Sequence, residues 1–263
     1  MSTSELTIDL RSDTITRPTT EMRTCMRHAV TGDDVFAEDP EVNKLQKKSA
    51  EMFGMEDGLF CPSGTMTNQI AIAVHTSPGE EVICDKLSHI YNYEGGGIAR
   101  LSGASVRLLQ GDLGRFTASD VRSNVNPLDS HYAKTSLVSL EDTCNKGGGS
   151  MWDLSELREV SKVSRELGLA VHLDGARLWN SIVARGIHNN VEALKEYGSN
   201  FDSISLCLSK GLGCPIGSVL IGSKSFIAKA HRVRKVFGGG MRQGGIVAAA
   251  GIYALENNID RLS

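Results

Sequence analysis

The sequence predicts an α/β domain whose sheet is mostly parallel and is flanked by helices. Two observations lead to this prediction. Short apolar runs alternate along the chain with amphipathic helical segments, which is the pattern of strand–helix–strand units. The chain has 263 residues, of which 40% are hydrophobic, so it is long enough to bury a substantial core as one large domain.

The predicted strands are short apolar runs bounded by glycine, aspartate or serine. In chain order they are Leu59–Cys61, Val82–Cys84, Val106–Leu109, Leu137–Leu140, Ala170–Leu173 and Ile204–Leu208. Strands that alternate with helices form parallel sheets that are covered on both faces. Ligands of such sheets gather at the carboxyl ends of the strands, so residues that directly follow a strand are the first candidates for a functional site.

The clearest predicted helix spans Asp153–Leu167. Asp153 and Glu156 predict a capping pair at its start, and Gly168 predicts its end. Its apolar stripe consists of Leu154, Leu157, Val160, Val163 and Leu167. A further helix is predicted over Gly244–Asn257, and the glycine-rich stretches 95–97, 147–149 and 238–240 predict turns or close approaches of the backbone.

Composition and charge argue against several classes of protein. The net charge is −3 and lysine and arginine form no run, which disfavours nucleic acid or an anionic membrane as a partner. No signal peptide or membrane span is predicted, because the first residues lack a basic region followed by an apolar run and no apolar stretch is long enough. The cysteines form no CxxC pair and predict free thiols in a cytoplasmic protein, with neither a disulfide framework nor a zinc site. They are Cys25, Cys61, Cys84, Cys144, Cys207 and Cys214.

A lysine and an aspartate follow two of the predicted strands. Lys210 comes just after Ile204–Leu208, where a dry pocket could hold its amine deprotonated and nucleophilic. The alternative is a surface lysine whose stem packs on the protein while its amine reaches solvent. Asp174 comes directly after the run Ala170–Leu173, where its carboxylate could keep a pyridinium nitrogen protonated. The alternative is that its side chain caps a turn.

Two further strand ends carry candidate binding groups. Ser63, Gly64 and Thr65 open a predicted helix, whose free N–H groups could cradle a phosphate, although such caps also occur without a ligand. His89 follows Val82–Cys84 and could stack on a flat cofactor, although a lone histidine is often a structural hydrogen-bonding group. Taken together and in this chain order, a phosphate cradle, a stacking ring, an aspartate and a lysine are hard to assign to chance.

These motifs resemble those of the threonine aldolase family, over essentially the whole chain. The matching segments are Ile8–Thr14, Gly32–Val35, Glu38–Pro40, Pro62–Met66, Ser88-His89, Leu173–Arg177, Leu208–Gly211 and Gly238–Gln243. The family belongs to the β-eliminating lyases among the fold-type-I enzymes that use pyridoxal 5′-phosphate. The resemblance therefore implies this fold, this cofactor and cleavage of the Cα–Cβ bond of L-threonine, L-allo-threonine or a related β-hydroxy-α-amino acid to glycine and an aldehyde.

The resemblance also implies roles for individual residues. Lys210 carries the cofactor, Asp174 pairs with its pyridine nitrogen and His89 stacks on its ring. The phosphate is bound by Ser63, Gly64 and Thr65. Ser12 and Arg177 look like contacts to the substrate carboxylate or the ring hydroxyl. Among these groups, His89, directly or through a water, is the candidate base for the β-hydroxyl proton.

Other features of the family concern assembly. Lys235 and Arg242 match basic residues that reach the phosphate region of a neighbouring subunit, so a homodimer or homotetramer with shared active sites is expected. The alternative is a solvated helix face, because Arg232 and Arg234 are close in sequence. We expect residues 1–250 to form a large cofactor-binding domain with an N-terminal arm. Residues 251–263 would begin a smaller C-terminal domain, otherwise absent from the sequence, which in the family supplies a further arginine for the substrate carboxylate.

Two positions depart from the family pattern. Cys144 stands where a histidine near the substrate is usual, and Phe36 stands where a tyrosine is usual. Both changes concern side-chain preference and the stereochemistry at Cβ. Two other functions remain open at this point: another pyridoxal-phosphate β-eliminating lyase, since fold and cofactor do not fix the reaction, and an inactive pyridoxal-phosphate-binding scaffold.

Overall fold

The computed structural model describes residues 8–263, and within them it contains one seven-stranded sheet. The strands are β1 (Asp57–Cys61), β2 (Glu81–Asp85), β3 (Ser105–Leu109), β4 (Thr135–Glu141), β5 (Ala170–Gly175), β6 (Ser203–Cys207) and β7 (Ser218–Gly222). Their order across the sheet is β1-β7-β6-β5-β4-β2-β3. Each predicted apolar run lies in one of these strands, except that Leu208 falls one residue beyond β6.

The sheet is mostly parallel, as the sequence predicts. Strands β3, β2, β4, β5 and β6 pair in parallel, whereas β7 runs antiparallel to both β6 and β1. Strand β7 was not predicted from the sequence. It follows β6 after a short connection, which suits an antiparallel return better than a helical crossover.

The helices are α1 (Thr20–Arg27), α2 (Pro40–Met52), α3 (Gly64–His75), α4 (His89–Asn92), α5 (Ala118–Asn124), α6 (Leu154–Glu166), α7 (Leu178–Ala184), α8 (Val191–Gly198), α9 (Lys224–Val236) and α10 (Gly245–Asn257). A π-helical turn covers Ile98–Ser102. Helix α10 agrees with its predicted bounds, and it packs on α1 and α2. Within residues 8–263, no helix is long and apolar enough to cross a membrane.

Helix α6 confirms the predicted apolar stripe and corrects the predicted cap. Leu157, Val160 and Val163 are buried. Asp153 is the residue at the N-cap, but its side chain accepts no hydrogen bond from the helix, so the predicted capping pair with Glu156 is wrong. The helix ends at Glu166 with Leu167 as its C-cap, and the predicted stop residue Gly168 follows with a φ of 72°, in the left-handed region that favours glycine.

The two faces of the central strands differ in polarity. On one face, Val171, Leu173, Ile204 and Leu206 belong to the main hydrophobic core. Side chains alternate along a strand, so the next residues of β5 and β6 point to the opposite face. That face carries the buried polar residues His172, Asp174, Ser203 and Ser205, and helix α3 covers it. The polar face leads to the carboxyl ends of the strands, where the predicted site residues lie.

Candidate active site

Three parallel strands bring their carboxyl ends to one edge of the sheet. In the register, Glu141 at the end of β4 pairs with Asp174 of β5, and Gly175 pairs with Leu206 of β6. The predicted residue Lys210 follows β6 at the same edge. Residues that are far apart in the chain are thus gathered at one place by strand pairing alone.

Asp174 lies at this edge as a buried carboxylate, only 2% exposed. Its Oδ2 accepts a hydrogen bond of 2.8 Å from the side-chain amide of Asn68, on helix α3. Its Oδ1 accepts one of 3.1 Å from the backbone N–H of Ala176, which is the turn contact considered as the alternative explanation. The turn therefore binds Oδ1 of the carboxylate, and helix α3 binds Oδ2.

Lys210 is half-buried, and its amine Nζ lies 3.2 Å from the Sγ of Cys207. Burial favours the neutral thiol, but the charge of Lys210 and hydrogen bonds from Ser209 and Lys210 lower the pKa of Cys207 below its ordinary value. The backbone carbonyl of Lys210 accepts a hydrogen bond of 2.6 Å from the Thr16 hydroxyl. The N-terminal segment thereby packs directly on the loop that carries the lysine.

Helix α3 begins at the predicted phosphate cradle. Ser63 is its N-cap, and its hydroxyl accepts a hydrogen bond of 3.2 Å from the N–H of Met66. The first N–H groups of a helix have no partner within the helix, so those of Gly64 and Thr65 point outward. Ser218 on β7 faces this end, because a Cβ added at Gly64 would lie 3.5 Å from its hydroxyl.

His89 opens the short helix α4 with its ring partly exposed. Its Nδ1 lies 3.0 Å from Oε1 of Glu94, and its backbone N–H donates to Glu141 Oε2 at 2.8 Å. The hydrogen bond to Glu94 raises the pKa of His89 above its ordinary value, although burial opposes the shift. Side-chain atoms of His89, Glu94 and Asp174 all lie within 4.8 Å of one another. The imidazole thus lies beside Asp174.

The same edge is strongly acidic. Burial raises the pKa of Glu141 to about 7, and the neighbouring carboxylate of Asp174 adds to the shift. Burial also raises the pKa of Glu94, against hydrogen bonds from His89 and Asn68. A protonated imidazole or a pyridinium nitrogen is stabilised in such surroundings, because both are cations next to carboxylates.

The predicted substrate contacts come together at the N-terminal segment. Arg177 holds Asp13 through two hydrogen bonds, from Nε to Oδ2 at 3.0 Å and from Nη2 to Oδ1 at 2.7 Å. Ser12 directly precedes this aspartate, and its hydroxyl accepts a hydrogen bond from the N–H of Thr14. The ion pair therefore brings Ser12 near Arg177 and fixes the segment against the sheet edge.

Lys235 and Arg242 lie at the end of α9 and in the loop after it. The side chain of Arg242 is 59% exposed and donates to Asp33 Oδ2 at 2.8 Å. Burial alone would raise the pKa of Asp33, but Arg242, the Val35 N–H and the charge of Lys235 together lower it. Lys235 lines an open cavity of about 440 Å³ with Arg232 and Arg234. Arg234 itself is buried in an ion pair with Asp34, so it is not part of a solvated helix face.

The two departures from the family pattern differ in their surroundings. Cys144 is buried, and a Cβ added at Gly114 would lie only 2.2 Å from its sulfur. Burial raises the pKa of the Cys144 thiol to about 12, so it stays protonated and cannot act as a base. Phe36 is 70% exposed. The thiol packs inward and the phenyl ring faces solvent.

The groups at this edge fit pyridoxal phosphate. The outward N–H groups of α3 can bind a phosphate, Asp174 can pair with a ring nitrogen and Lys210 offers an amine. Apart from its contact with the Cys207 thiol, the buried Ser218 hydroxyl has no hydrogen-bond partner among residues 8–263, so it can donate to a phosphate beside Gly64. This sheet and the groups at its edge define the fold-type-I class of pyridoxal-phosphate enzymes.

Comparison with known proteins identifies the family within this class. A family model described as "Beta-eliminating lyase" matches residues 9–263. The low specificity L-threonine aldolase of Escherichia coli strain K12 is 45% identical over 256 residues, which are 97% of this chain and 74% of that protein. The low-specificity L-threonine aldolase of Candida albicans is 43% identical over 260 residues, 97% of this chain and 67% of that protein. The chain therefore belongs to the β-eliminating lyase family, together with these threonine aldolases.

A solved structure supports the same fold. The threonine aldolase of Leishmania major superposes with a TM-score of 0.81 and 23% identity, over 95% of this chain and 73% of that one. The fold class and family that the sequence motifs predict are both confirmed.

Several residues of this edge were not predicted from the sequence. Asn68 and Gln69 are buried polar residues on α3, and Glu94 lies in the loop after α4. A signal for the first two exists, because Thr67-Asn68-Gln69 is a polar triplet directly before the apolar Ile70-Ala71-Ile72. Consecutive polar residues on a helix that is otherwise buried indicate partners in the protein interior. No comparable pattern surrounds Glu94.

Proposed function

We propose that this chain binds pyridoxal 5′-phosphate on Lys210 and cleaves the Cα–Cβ bond of L-threonine, L-allo-threonine or a related β-hydroxy-α-amino acid. The products are glycine and an aldehyde. The observation that supports this most directly is the meeting of Lys210, Asp174 and the start of α3 at one edge of the sheet. The identity to the threonine aldolases supports the choice of substrate.

When bound, the cofactor supplies a ring that accepts the electrons of the broken bond. The chain's own residues bind and orient it. Lys210 holds the cofactor through its amine, and Asp174 keeps the ring nitrogen protonated. Ser63, Gly64 and Thr65 bind the phosphate at the positive end of the α3 helix dipole. The Asn68 amide fixes one oxygen of Asp174 and leaves the carboxylate charged.

The substrate is held at the N-terminal segment. Arg177 binds the substrate carboxylate with its planar guanidinium, and Ser12 adds a hydroxyl donor. Holding the carboxylate turns the Cα–Cβ bond toward the direction in which it breaks most easily. Asp13 occupies the guanidinium in this structure, so it must give up at least one of its hydrogen bonds when substrate enters.

His89 is the proposed base for the β-hydroxyl proton, directly or through a water. Its Nδ1 is engaged by Glu94, so Nε2 is the nitrogen that remains for the proton of the substrate. Because the neighbouring carboxylates stabilise the imidazolium, the ring can keep this proton while the aldehyde leaves, and Cα takes up a proton to give glycine.

The proposal extends to the assembly and location of the protein. Lys235 and Arg242 would reach the phosphate region of a neighbouring subunit in a homodimer or homotetramer. The cavity that Lys235 lines, and the exposed side chain of Arg242, leave both charges accessible to a partner. Residues 1–250 would form the cofactor-binding domain, with a smaller domain beginning at 251, in a cytoplasmic protein.

The function is tested by incubating the purified chain and pyridoxal phosphate with L-threonine or L-allo-threonine and measuring glycine and acetaldehyde. Equal amounts of the two products, lost in Lys210→Ala, are expected. Release of ammonia and a keto acid instead would indicate a β-eliminating lyase. Cofactor absorbance with no product from any β-hydroxy amino acid would indicate a binding scaffold.

A further inference from the structure

Glu94 is a fully buried carboxylate that lies next to the His89 ring. Its side chain is 0% exposed. Oε1 accepts a hydrogen bond of 2.9 Å from Asn68 and lies 3.0 Å from His89 Nδ1, while Oε2 accepts one of 2.6 Å from Gln69. A Cβ added at Gly97 would lie 2.6 Å from the Gln69 side chain, so the glycine keeps room for this amide. The side-chain amides of Asn68 and Gln69 and the imidazole of His89 thus all contact the Glu94 carboxylate.

The direction of these hydrogen bonds is fixed by Asn68. Its Nδ2 donates to Asp174 and to Glu94, and carboxylates can only accept. Its Oδ1 therefore faces His172 Nε2, at 3.1 Å, and that nitrogen carries the proton. His172 Nδ1 is then the acceptor for the hydroxyl of Ser203, at 2.9 Å. With Glu94 ionised, its carboxylate is the acceptor for Asn68, Gln69 and His89.

We propose that Glu94 is a positioning residue of the site, which fixes the His89 ring through Nδ1 and so presents Nε2 to the substrate. The same carboxylate is joined to Asp174 through the shared amide of Asn68. The ring that stacks on the cofactor and the carboxylate that pairs with its nitrogen are therefore held by one buried network.

The role of Glu94 in the reaction rests on the proposed function. The hydrogen bond between Glu94 and His89 does not depend on that function. Other groups also act on this ring, so the contribution of Glu94 must be separated from theirs. The titratable groups that face His89 are Glu94 in the loop after α4, Glu141 at the end of β4, Asp174 on β5 and Tyr93, whose ring centroid lies 5.6 Å away. Of these four groups, Glu94 bonds the ring itself, whereas Glu141 bonds the backbone N–H of His89.

The first test uses the unmodified chain and needs no activity. Nitrogen-15 NMR of the histidine rings, with and without added pyridoxal phosphate, reports which ring nitrogen carries the proton. We expect neutral His89 to be protonated at Nδ1 and bare at Nε2, with assignment by His89→Gln. Protonation at Nε2 instead would overturn the proposal, because Glu94 would then hold no ring proton.

The second test compares Glu94→Gln with Glu94→Asp. The amide substitution keeps the shape and removes the charge, and Gln69 can turn its unpartnered Oε1 toward the new donor. We expect the midpoint of His89 titration to move to lower pH, together with the acid limb of kcat/KM. We also expect kcat/KM to fall, on the order of 10-fold. Glu94→Asp retains the charge and should recover part of the midpoint shift.

Asp129→Asn provides the matched control. Asp129 Oδ1 lies 2.6 Å from His131 Nδ1 in an exposed carboxylate–imidazole pair. This substitution should change only the signals of His131. If Glu94→Gln lowers the melting temperature but leaves the His89 tautomer and midpoint unchanged, Glu94 serves folding alone and the proposal fails. An inactive parent chain with the expected His89 tautomer would reject the proposed function only.

Discussion

Asn68 and Asp174 lie 106 positions apart in the chain, yet the Asn68 amide donates to Asp174 Oδ2 at 2.8 Å. Both side chains are at most 2% exposed. Because Asn68 also bonds Glu94 and His172, its removal leaves several buried groups without a partner. We expect Asn68→Ala to lower the free energy of unfolding by about 2–4 kcal/mol and to weaken cofactor binding.

Urea denaturation and cofactor titration measure both effects. Asn124→Ala is the control, since the Asn124 amide donates to the exposed carbonyl of Asp120 one helical turn earlier. An Asn68→Ala variant as stable as the control would mean that water replaces the amide at no cost.

Lys210 is the predicted attachment point of the cofactor. We expect Lys210→Ala to lose the visible absorbance of lysine-bound pyridoxal phosphate, because Lys210 is the lysine that follows β6, the strand paired with the Asp174 strand β5. Borohydride reduction and peptide mapping should locate the cofactor on Lys210 in the parent chain. Lys162→Ala, at an exposed position on α6, should keep the absorbance. Mapping of the label to a different lysine would contradict the assignment.

Asp174 is predicted to stabilise the charge on the cofactor ring. Asp174→Asn keeps the shape but cannot keep a ring nitrogen protonated. The variant should still bind cofactor while its turnover of threonine falls on the order of 10³-fold. Steady-state kinetics and the absorbance spectrum separate the two effects. Turnover near that of the parent would show that Asp174 is only a turn residue.

The cysteines should differ in reactivity. Cys25 is exposed, and the other cysteines are buried. Burial raises the pKa of Cys61, Cys84 and Cys214 to about 12, so these thiols stay protonated. Mass spectrometry after brief alkylation of the folded chain should find label on Cys25 alone.

Cys207 is the exception among the buried thiols, because its pKa is lowered. It should be the first of them to react under mild destabilisation, and bound cofactor should protect it. Simultaneous labelling of all the buried cysteines would contradict this order.

Buried histidines make stability depend on pH. Burial lowers the pKa of His172 to about 3 and that of His75 to about 4. In an unfolded chain both titrate near 6.5, so below that pH the unfolded state takes up protons first and stability is lost as pH falls. The raised pKa of Glu141 has the opposite sign, since its contribution to stability is present below its ordinary pKa of 4.5 and is lost as pH rises through about 7.

A variant isolates the histidine contribution from that of the glutamate. Between pH 7 and pH 5, the unfolding free energy of the parent should fall by about 1–2 kcal/mol more than that of His172→Gln. Urea denaturation at both pH values measures this difference, and His131→Gln, at an exposed site, serves as control. Equal pH dependence in the parent and His172→Gln would show that folding does not lower the pKa of His172.

Local sequence patterns were sufficient to predict most of the fold. Apolar runs marked the parallel strands because both faces of such strands are buried. The positions of Asp174 and Lys210 followed from the same rule, since each comes at the end of a run. Strand β7 was not predicted, because an antiparallel return after a glycine-rich loop has no helix before it to mark it.

The cap of α6 shows the limit of local reasoning. Asp153 has the residue type and spacing of a capping residue, yet its side chain makes no cap hydrogen bond. Residue type states what a side chain can bond, whereas its rotamer and its neighbours decide what it does bond.

By itself, the sequence determined the class of fold, the family motifs and the lysine and aspartate at the strand ends. Only the tertiary structure decided how those residues are supported. It joined Glu94 to His89, Asn68 to Asp174 and Asp13 to Arg177, pairs that no spacing indicates. The physical reason is that a buried polar group must find a partner wherever the packed chain provides one, and that partner is set by the arrangement of helices on the sheet.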